Sequence, residues 1–439
     1  MDVSKEMKIT GVIDENEKLT VATTGAKYVF LKTGEKGRIL CYQLINIVNG
    51  ERLNAVIIFP FSFLSLTLEK KGADYCVLHQ GFSGEFFVRF QVNGDSVLDL
   101  YTPLELNIGF DIELSPAYSA EKDGNAIFID DKGGFGIYPC RGYARSEKKV
   151  LDNGNIRMEY ASGRPCRFLV SIFPPRKFQE ERYYKENIAH FGVNPPWTFY
   201  PYPSDEMIEG VSAHANLLVL HAQIWQGKLQ RNGIEPKSTP ELLSNASFSS
   251  FDHVPVSEKE LARVVRKCRS LKMKVIPYLS PTFSTAFGED FLAQVRKMLD
   301  KYGMDGVYLD GFSFDLLYGY RLIRDIRRIL GDRILYLHAT CEPFWDARVW
   351  CPFIYAYADY SLRAEMQGDF DDNYLRYGIS GYNTSNSIHY TCTCYYKPDF
   401  VRKILGKALE YRVKFYLALP QGEIEEILKS EYFPKLKQK

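Results

Sequence analysis

The stretch Gly306-Val307-Tyr308-Leu309-Asp310-Gly311-Phe312 constrains the fold more than any other part of this 439-residue chain. Val307 to Leu309 are apolar or aromatic and lie between glycines, which is typical of a short buried strand. Asp310 follows where the strand stops. A carboxylate there leaves the apolar interior while the sheet fixes its backbone, as in the active sites of β/α-barrel enzymes. An aspartate that only caps a turn is the alternative for an Asp-Gly pair.

The N-terminal part of the chain has the pattern of an all-β domain. Short apolar or alternating runs, such as Phe86 to Val92, are separated by turn residues such as Asn49-Gly50 and Asn153-Gly154. No helical period lies between them. We therefore predict an antiparallel β-sandwich for residues 1–175, followed by a linker at residues 176–212 that contains a helical connector.

The remaining residues, 213–439, alternate between buried strands and amphipathic helices. We predict strands near residues 217, 274, 307, 334, 354, 388 and 414, and an eighth at residues 246–251. Such alternation produces a parallel sheet, and eight units produce a (β/α)8 barrel, the TIM barrel. A doubly wound open sheet is the competing arrangement. However, no glycine-rich phosphate-binding motif follows the first strand.

Composition excludes several classes of partner. Lys and Arg number 55 and Asp and Glu number 54, so the net charge of +1 gives no electrostatic basis for nucleic-acid binding. No apolar run approaches the roughly 20 residues of a membrane span, and the first residues lack the apolar core of a secretion signal. The nine cysteines are scattered without a pairing pattern. We expect a cytoplasmic protein without a membrane partner, and a homo-oligomer remains an open possibility.

Polar residues that follow barrel strands share one face, and carboxylates dominate them here. The candidate catalytic residues are Asp310, Glu342, Asp359 and Glu365, and the candidate substrate-binding residues are His221, Gln223, Trp225, Asp252, Tyr278, His338, Arg363 and His389. Two carboxyl groups on opposite sides of a bond can serve as nucleophile or base and as general acid, which is what glycosidic cleavage requires. We expect a carbohydrate substrate, no cofactor and no metal ion.

Structural roles are the alternatives for several of these side chains. His221 and His338 lie within apolar runs and could be hydrogen-bonded core residues. Trp225 could belong to the core instead of forming a platform for a sugar. Arg363 and Glu365 could be an ion pair on a loop, and Asp252 could be a turn residue.

Three motifs resemble those of barrel glycoside hydrolases. They are Lys272-Met-Lys274-Val-Ile-Pro-Tyr278, the Gly306 to Gly311 stretch, and Tyr357-Ala-Asp359-Tyr360-Ser-Leu-Arg363-Ala-Glu365. In layout the chain resembles the α-galactosidase-like families 27 and 36, more loosely family 31, and uncharacterised glycoside-hydrolase-like proteins of bacteria and archaea. The resemblance covers roughly His214 to Leu419, and it implies a β-sandwich beside a catalytic barrel.

The same resemblance implies roles for two residues. Asp310 matches the nucleophile at the end of the fourth strand, and Asp359 matches the acid/base after the sixth, as in a retaining glycosidase that acts on an oligo- or polysaccharide. Glu365 and Glu342 compete with Asp359. The lysine that families 27 and 36 place two residues before the nucleophile is Tyr308 here, so α-galactoside specificity does not carry over.

Two other functions remain open. A metal-dependent barrel hydrolase could use Asp310, His221, His338 and His389 as ligands, although no His-x-His or His-Glu-x-x-His pair is present. A non-catalytic relative could keep the barrel and its aromatic residues for carbohydrate binding alone.

Overall fold

A computed structural model describes residues 7–32, 39–59, 62–81, 86–114, 116–192, 201–226, 253–282, 284, 286–310, 315–338, 349–363, 372–379, 386–389, 397–419 and 422–436. The chain divides into two units. The sandwich unit comprises Met1–Lys177, Asp315–Leu317 and Arg348–Ala356, and the barrel unit comprises Phe178–Phe314, Tyr318–Ala347 and Tyr357–Lys439. Among the helices of these described ranges, none is long and apolar enough to cross a membrane.

Antiparallel strands build the sandwich unit. They are β1 (Ile9–Asp14), β2 (Lys18–Thr23), β3 (Ala26–Leu31), β4 (Ile39–Asn46), β5 (Arg52–Ile58), β6 (Ser65–Lys71), β7 (Asp74–Gln80), β8 (Phe86–Val92), β9 (Val97–Thr102), β10 (Leu106–Ile112), β11 (Tyr118–Lys122), β12 (Asn125–Asp130), β13 (Gly133–Val150) and β14 (Ile156–Phe173).

Alternation along the strands creates the sandwich core. In β2, Leu19 and Val21 are buried while their neighbours are not, so one face of the strand is apolar. Strands β3 and β8 are far apart in the order of the sheet, yet the rings of Phe30 and Phe90 lie 5.2 Å apart. The sheet therefore folds over and packs its apolar faces together, which confirms the predicted antiparallel β-sandwich.

Parallel strands build the barrel unit. They are β15 (Ile188–Phe191), β16 (Leu217–Leu220), β17 (Lys274–Leu279), β18 (Gly306–Leu309), β19 (Ile334–His338), β20 (Tyr360–Arg363), β21 (Asn386–His389), β22 (Lys414–Phe415) and β23 (Leu417–Leu419). Segments β22 and β23 belong to one stretch of chain; β22 pairs with β21, and β23 pairs with β15. This stretch is the eighth strand and it closes the sheet, so the predicted (β/α)8 barrel is confirmed.

Helices follow most barrel strands. They are α1 (Glu180–Lys185), α2 (Asp205–Ser212), α3 (Glu258–Ser270), α4 (Glu289–Asp300), α5 (Leu316–Leu330), α6 (Pro352–Tyr355), α7 (Pro398–Glu410), α8 (Glu423–Ile427) and α9 (Phe433–Leu436), with a 3₁₀ turn at Ala222–Ile224 and wider turns at Tyr374–Ile379 and Leu428–Tyr432. Helix α3 begins as its sequence predicts, because the Ser257 hydroxyl accepts a hydrogen bond from the backbone N–H of Glu260.

Two predicted elements of the barrel differ from the structure. The connector predicted within residues 176–212 holds the first barrel strand, β15, directly after helix α1. The strand predicted near residue 354 is helix α6, and the sixth barrel strand is β20, which begins at Tyr360. Pro352 favours the helix because a proline at its first turn removes no helical hydrogen bond. The strand predicted at residues 246–251 lies outside the described residues.

A buried lysine marks the N-terminal end of the barrel strands. Lys414 opens β22, and its Nζ donates hydrogen bonds to the Tyr183 carbonyl at 2.6 Å and to Asn187 Oδ1 at 3.4 Å. Burial lowers the pKa of Lys414 from its usual 10.5 to about 7, and the nearby Glu186 carboxylate only partly opposes this. The ammonium form is therefore costly in the folded state.

Replacement of Lys414 by Met should remove this pH dependence. Between pH 7 and pH 10.5 the unfolded chain holds a proton on Lys414 that the folded protein lacks, so the free energy of unfolding of the wild type should rise with pH over that interval. We expect the difference between wild type and Lys414→Met to change by up to about 5 kcal/mol between these limits. Urea unfolding at pH 7, 8.5 and 10 measures it. Lys403→Met is the control, because Lys403 on α7 is exposed. If the free energy of unfolding changed with pH in the same way for Lys414→Met and the wild type, the prediction would be contradicted.

Candidate active site

Contacts across the barrel identify which side chains point inward. His190 on the first strand lies with its Nε2 3.1 Å from the Tyr336 hydroxyl on the fifth strand. The first and fifth strands are on opposite sides of an eight-stranded barrel, so both side chains cross the interior. Because inward residues alternate along a strand, His338 shares the inward face with Tyr336. Tyr308 pairs with Tyr336 in register, which places Asp310 on the same face.

Asp310 lies at the carboxyl end of the fourth strand. Its backbone N–H donates to the Leu279 carbonyl at 2.9 Å, so the β17–β18 hydrogen-bond ladder extends to Asp310 itself. The side chain is 19% exposed. The backbone is thus fixed by the sheet while the carboxylate reaches the open end of the barrel, as the sequence predicts.

His338 is the direct partner of this carboxylate. It ends the neighbouring strand β19, and its Nδ1 lies 2.8 Å from Asp310 Oδ1. When the carboxylate is ionised it can only accept hydrogen bonds, so the imidazole then donates through Nδ1–H and holds the carboxylate in one orientation. Such a fixed orientation suits a carboxylate that must attack or deprotonate along a defined line.

An aromatic layer lies beneath this pair. The ring of Tyr308 lies 4.7 Å from that of Tyr336 and 5.3 Å from that of His190, and His190 also contacts Tyr416 at 4.4 Å. Burial, with smaller contributions from His221 and His338, holds the pKa of His190 well below its ordinary value. Burial and the Asp310 carboxylate raise the pKa of Tyr336. These groups are therefore uncharged near neutral pH, and in this low-dielectric floor any charge on Asp310 acts strongly on a ligand.

Two further predicted residues join this cluster. His221 follows β16 directly, and its ring lies 5.0 Å from Tyr278 and 6.0 Å from Tyr308. Tyr278 pairs with Tyr308 in register. The structure thus brings together four of the predicted site residues: His221, Tyr278, Asp310 and His338.

Trp225 and Gln223 take structural positions instead. Trp225 is completely buried, and its indole N–H donates to the Tyr278 carbonyl at 2.5 Å. It therefore supports strand β17 from the core and presents no face on which a sugar could stack, which corrects its predicted role. The Gln223 amide packs directly over Gly192, where a Cβ atom would lie 1.4 Å from Nε2. Gly192 also has a φ of +94°, so this contact depends on glycine.

Asp359 lies at the opposite end of the barrel from Asp310. It precedes β20 instead of following a strand, and it is completely buried. Its carboxylate lies 2.9 Å from Arg327 Nη2 and 3.0 Å from Arg182 Nη1, and it accepts the backbone N–H of Leu335 at 2.8 Å. A carboxylate held between two guanidinium groups at this end cannot protonate a ligand at the other. The position predicted for it, after the sixth strand, is therefore corrected.

The remaining predicted residues lie around the sixth and seventh strands or beyond the described ranges. Arg363 ends β20 and is buried, and alternation with the inward Leu362, which pairs with His338, places it on the outer face of the strand. His389 ends β21 and pairs in register with Arg363, but only its backbone is described. Asp252, Glu342 and Glu365 lie outside the described residues.

Sequence reasoning missed the residues that form the floor. His190 lies within the predicted connector, and the sequence pattern predicts Tyr336 only as part of a strand. A signal was available, because three successive strands run into the same pattern: Tyr278-Leu279-Ser280, Tyr308-Leu309-Asp310 and Tyr336-Leu337-His338. A tyrosine two residues before each polar residue that ends or follows a strand predicts a tyrosine layer one step below the polar ends.

The described side chains offer no metal centre. Among them, no group of three or more His, Cys, Asp or Glu residues has the arrangement to hold an ion. Asp310 and His338 contribute two such groups, and the metal-dependent alternative would need a third ligand near them.

Comparison with known proteins finds similarity to solved structures at low sequence identity. No model of a known protein family matches the sequence, and no curated protein does. The glucosidase II alpha subunit, solved with Glc1Man2, is 8% identical, with a TM-score of 0.43 over 100% of this chain and 69% of that one. A family 31 dextranase from Flavobacterium johnsoniae, solved with glucose, is 8% identical, with a TM-score of 0.42 over 98% and 68%.

A third solved structure is longer than this chain. The cycloalternan-forming enzyme from Listeria monocytogenes, solved with a pentasaccharide substrate, is 8% identical, with a TM-score of 0.40 over 98% of this chain and 54% of that one. The chain therefore spans about half the length of that enzyme. These solved structures, one of them a family 31 dextranase, resemble the chain in part and at low sequence identity.

Proposed function

We propose that this protein is a glycoside hydrolase that cleaves an oligo- or polysaccharide with Asp310 as its nucleophile. The observation that carries the proposal is the position of Asp310: an inward carboxylate at the carboxyl end of the fourth barrel strand, held by His338 at 2.8 Å above a floor of tyrosine rings. Aromatic surfaces with a few fixed polar groups bind sugars, whose faces are partly apolar and whose edges carry hydroxyl groups.

We propose Glu365 as the acid/base. Of the competing carboxylates, Asp359 faces the other end of the barrel, Glu342 follows the last residue of β19 by four positions, and Glu365 follows the last residue of β20 by only two. In the first step Asp310 bonds to the anomeric carbon as the glycosidic C–O bond breaks, and Glu365 gives its proton to the departing oxygen. Glu365 then takes a proton from water, and the water oxygen attacks the anomeric carbon and releases Asp310. The configuration of the sugar is retained.

A panel of aryl glycosides in both anomeric forms tests the proposal. We expect hydrolysis of one anomer, with a first-formed product of the same configuration by proton NMR. Activity should survive exhaustive chelation with EDTA, since the proposed steps require only carboxylates and water. A product of inverted configuration would assign Asp310 the role of base. Hydrolysis lost on chelation and restored by a divalent ion would favour the metal-dependent alternative, and glycan binding without hydrolysis would favour a binding protein.

A further inference from the structure

An exposed aromatic ring stands out in the barrel unit. Phe287 is 61% exposed, and of the large hydrophobic side chains described in this unit it is the most exposed. It lies in the segment between β17 and α4. A single exposed apolar residue is ordinary on a protein surface, so exposure alone assigns no role to it.

The ring of Phe287 is held in a defined plane. It stacks on Tyr318, with ring centroids 4.5 Å apart and an angle of 4° between the planes. The Tyr318 hydroxyl in turn accepts a hydrogen bond from the backbone N–H of Gly288 at 3.2 Å, so the tyrosine is anchored to the residue after Phe287. One face of Phe287 is therefore covered and its orientation is set in advance, which lowers the entropy lost when a ligand covers the ring.

Both rings belong to segments on the Asp310 side of the barrel. Phe287 follows the third strand, β17, and Tyr318 lies in the first turn of α5 after the fourth strand, β18. Segments that lead from a strand to the next helix gather at the carboxyl ends of the strands, where Asp310 lies. The exposed ring is thus on the face of the barrel that carries the candidate active site.

We propose that Phe287, backed by Tyr318, is a stacking platform for one sugar ring of an oligosaccharide that extends over this face of the barrel from Asp310. The identity of the ligand rests on the proposed function, whereas the platform itself rests on the Phe287–Tyr318 stack. A rigid flat ring favours the apolar C–H face of a pyranose, and it adds affinity only to a ligand that is long enough to reach it from Asp310. The platform therefore distinguishes long ligands from a single sugar.

Calorimetric titration of the inactive Asp310→Asn protein tests this platform. The probes are maltohexaose, isomaltohexaose and cellohexaose, with glucose as the short ligand. For the hexasaccharide that binds, Phe287→Ala should weaken affinity about tenfold, Phe287→Trp should restore it, and the affinity for glucose should stay unchanged. Phe86→Ala is the matched control, because Phe86 is a 41% exposed phenylalanine of the sandwich unit.

The outcomes separate this platform from the hydrolase proposal. Equal affinities of Phe287→Ala and Phe86→Ala for every probe, or no binding of any hexasaccharide, would overturn the platform even if Asp310 proves essential. A selective loss of hexasaccharide affinity would support the platform even if Asp310→Asn kept full turnover. A change in sedimentation of Phe287→Ala without any change in glycan affinity would show that the ring instead mediates self-association, and would also overturn it.

Discussion

Asp310→Asn is expected to lower kcat on the best aryl glycoside by at least about a thousandfold, with little change in KM. The amide has the size and shape of the carboxylate and can still accept the hydrogen bond from His338, so the surroundings of the site should remain. It cannot form the bond to the anomeric carbon, and it carries no charge to stabilise the developing oxocarbenium ion. The substitution therefore removes stabilisation of the transition state and leaves binding of the substrate in its ground state nearly unchanged.

The control for this substitution lies at the other end of the same barrel. Asp332, exposed after helix α5, should tolerate Asn without loss of kcat. Thermal unfolding should give a similar Tm for wild type, Asp310→Asn and Asp332→Asn. Turnover of Asp310→Asn within tenfold of the wild type, with folding intact, would contradict a direct catalytic role for Asp310.

A second substitution separates a nucleophile from a general acid. In Asp310→Gly the space of the side chain is free, and added azide can attack the anomeric carbon of a glycosyl fluoride while fluoride leaves. We expect azide to restore turnover and to yield a glycosyl azide of inverted configuration. Stimulation by azide with a product of retained configuration would instead indicate that azide replaces water in a second step, and would assign Asp310 the role of acid/base.

The parts of the barrel that the sequence predicts well are those that local physics determines. Helix α3 is specified by the Ser257 cap and by an apolar face of Leu261, Val264, Val265 and Cys268. Strand β18 is specified by its apolar run and by Asp310 at its end. Both signals lie within a few residues of chain, so they can be read without knowledge of any distant contact.

The elements that the sequence does not predict correctly depend on contacts with distant parts of the chain. Strand β15 has four residues, all buried, and one of them is His190, so neither alternation nor continuous hydrophobicity marks it. It forms because β16 and β23 pair with it on either side. The apolar run near residue 354 is likewise buried by contacts within the sandwich unit, where the Tyr138 ring lies 4.9 Å from Phe353 and its hydroxyl donates to the Trp350 carbonyl. Such contacts leave no local signal.

The wrong prediction for Asp359 has the same cause as the wrong strand near residue 354. A strand ending at Ala358 would have placed this carboxylate on the active face, whereas a strand beginning at Tyr360 places it on the opposite one. Two arginines explain why an aspartate is present here, because Arg327 on α5 and Arg182 on α1 each contact one oxygen of the Asp359 carboxylate. Asp359 thus links two helices to the N-terminal ends of the strands.

Asp359→Asn should therefore destabilise the fold without altering chemistry. The substitution removes the carboxylate that faces the largely buried Arg327, and it leaves Arg182 with Glu186 at 3.6 Å as its other carboxylate partner. The loss of one partner of a buried ion pair costs about 3–5 kcal/mol. We expect the urea midpoint of unfolding to fall accordingly, while kcat at a temperature well below Tm stays within about twofold of the wild type.

Asp325→Asn is the matched control for this prediction. Asp325 pairs with Arg328 on the same helix as Arg327, but both side chains are exposed, so the free energy of unfolding should change by no more than about 1 kcal/mol. A protein with Asp359→Asn that kept its stability and lost its turnover would return Asp359 to the role of general acid. A large loss of stability with turnover preserved would leave Glu365, and after it Glu342, as the carboxylates to test next, because the chemistry proposed for Asp310 needs a proton donor on its own face of the barrel.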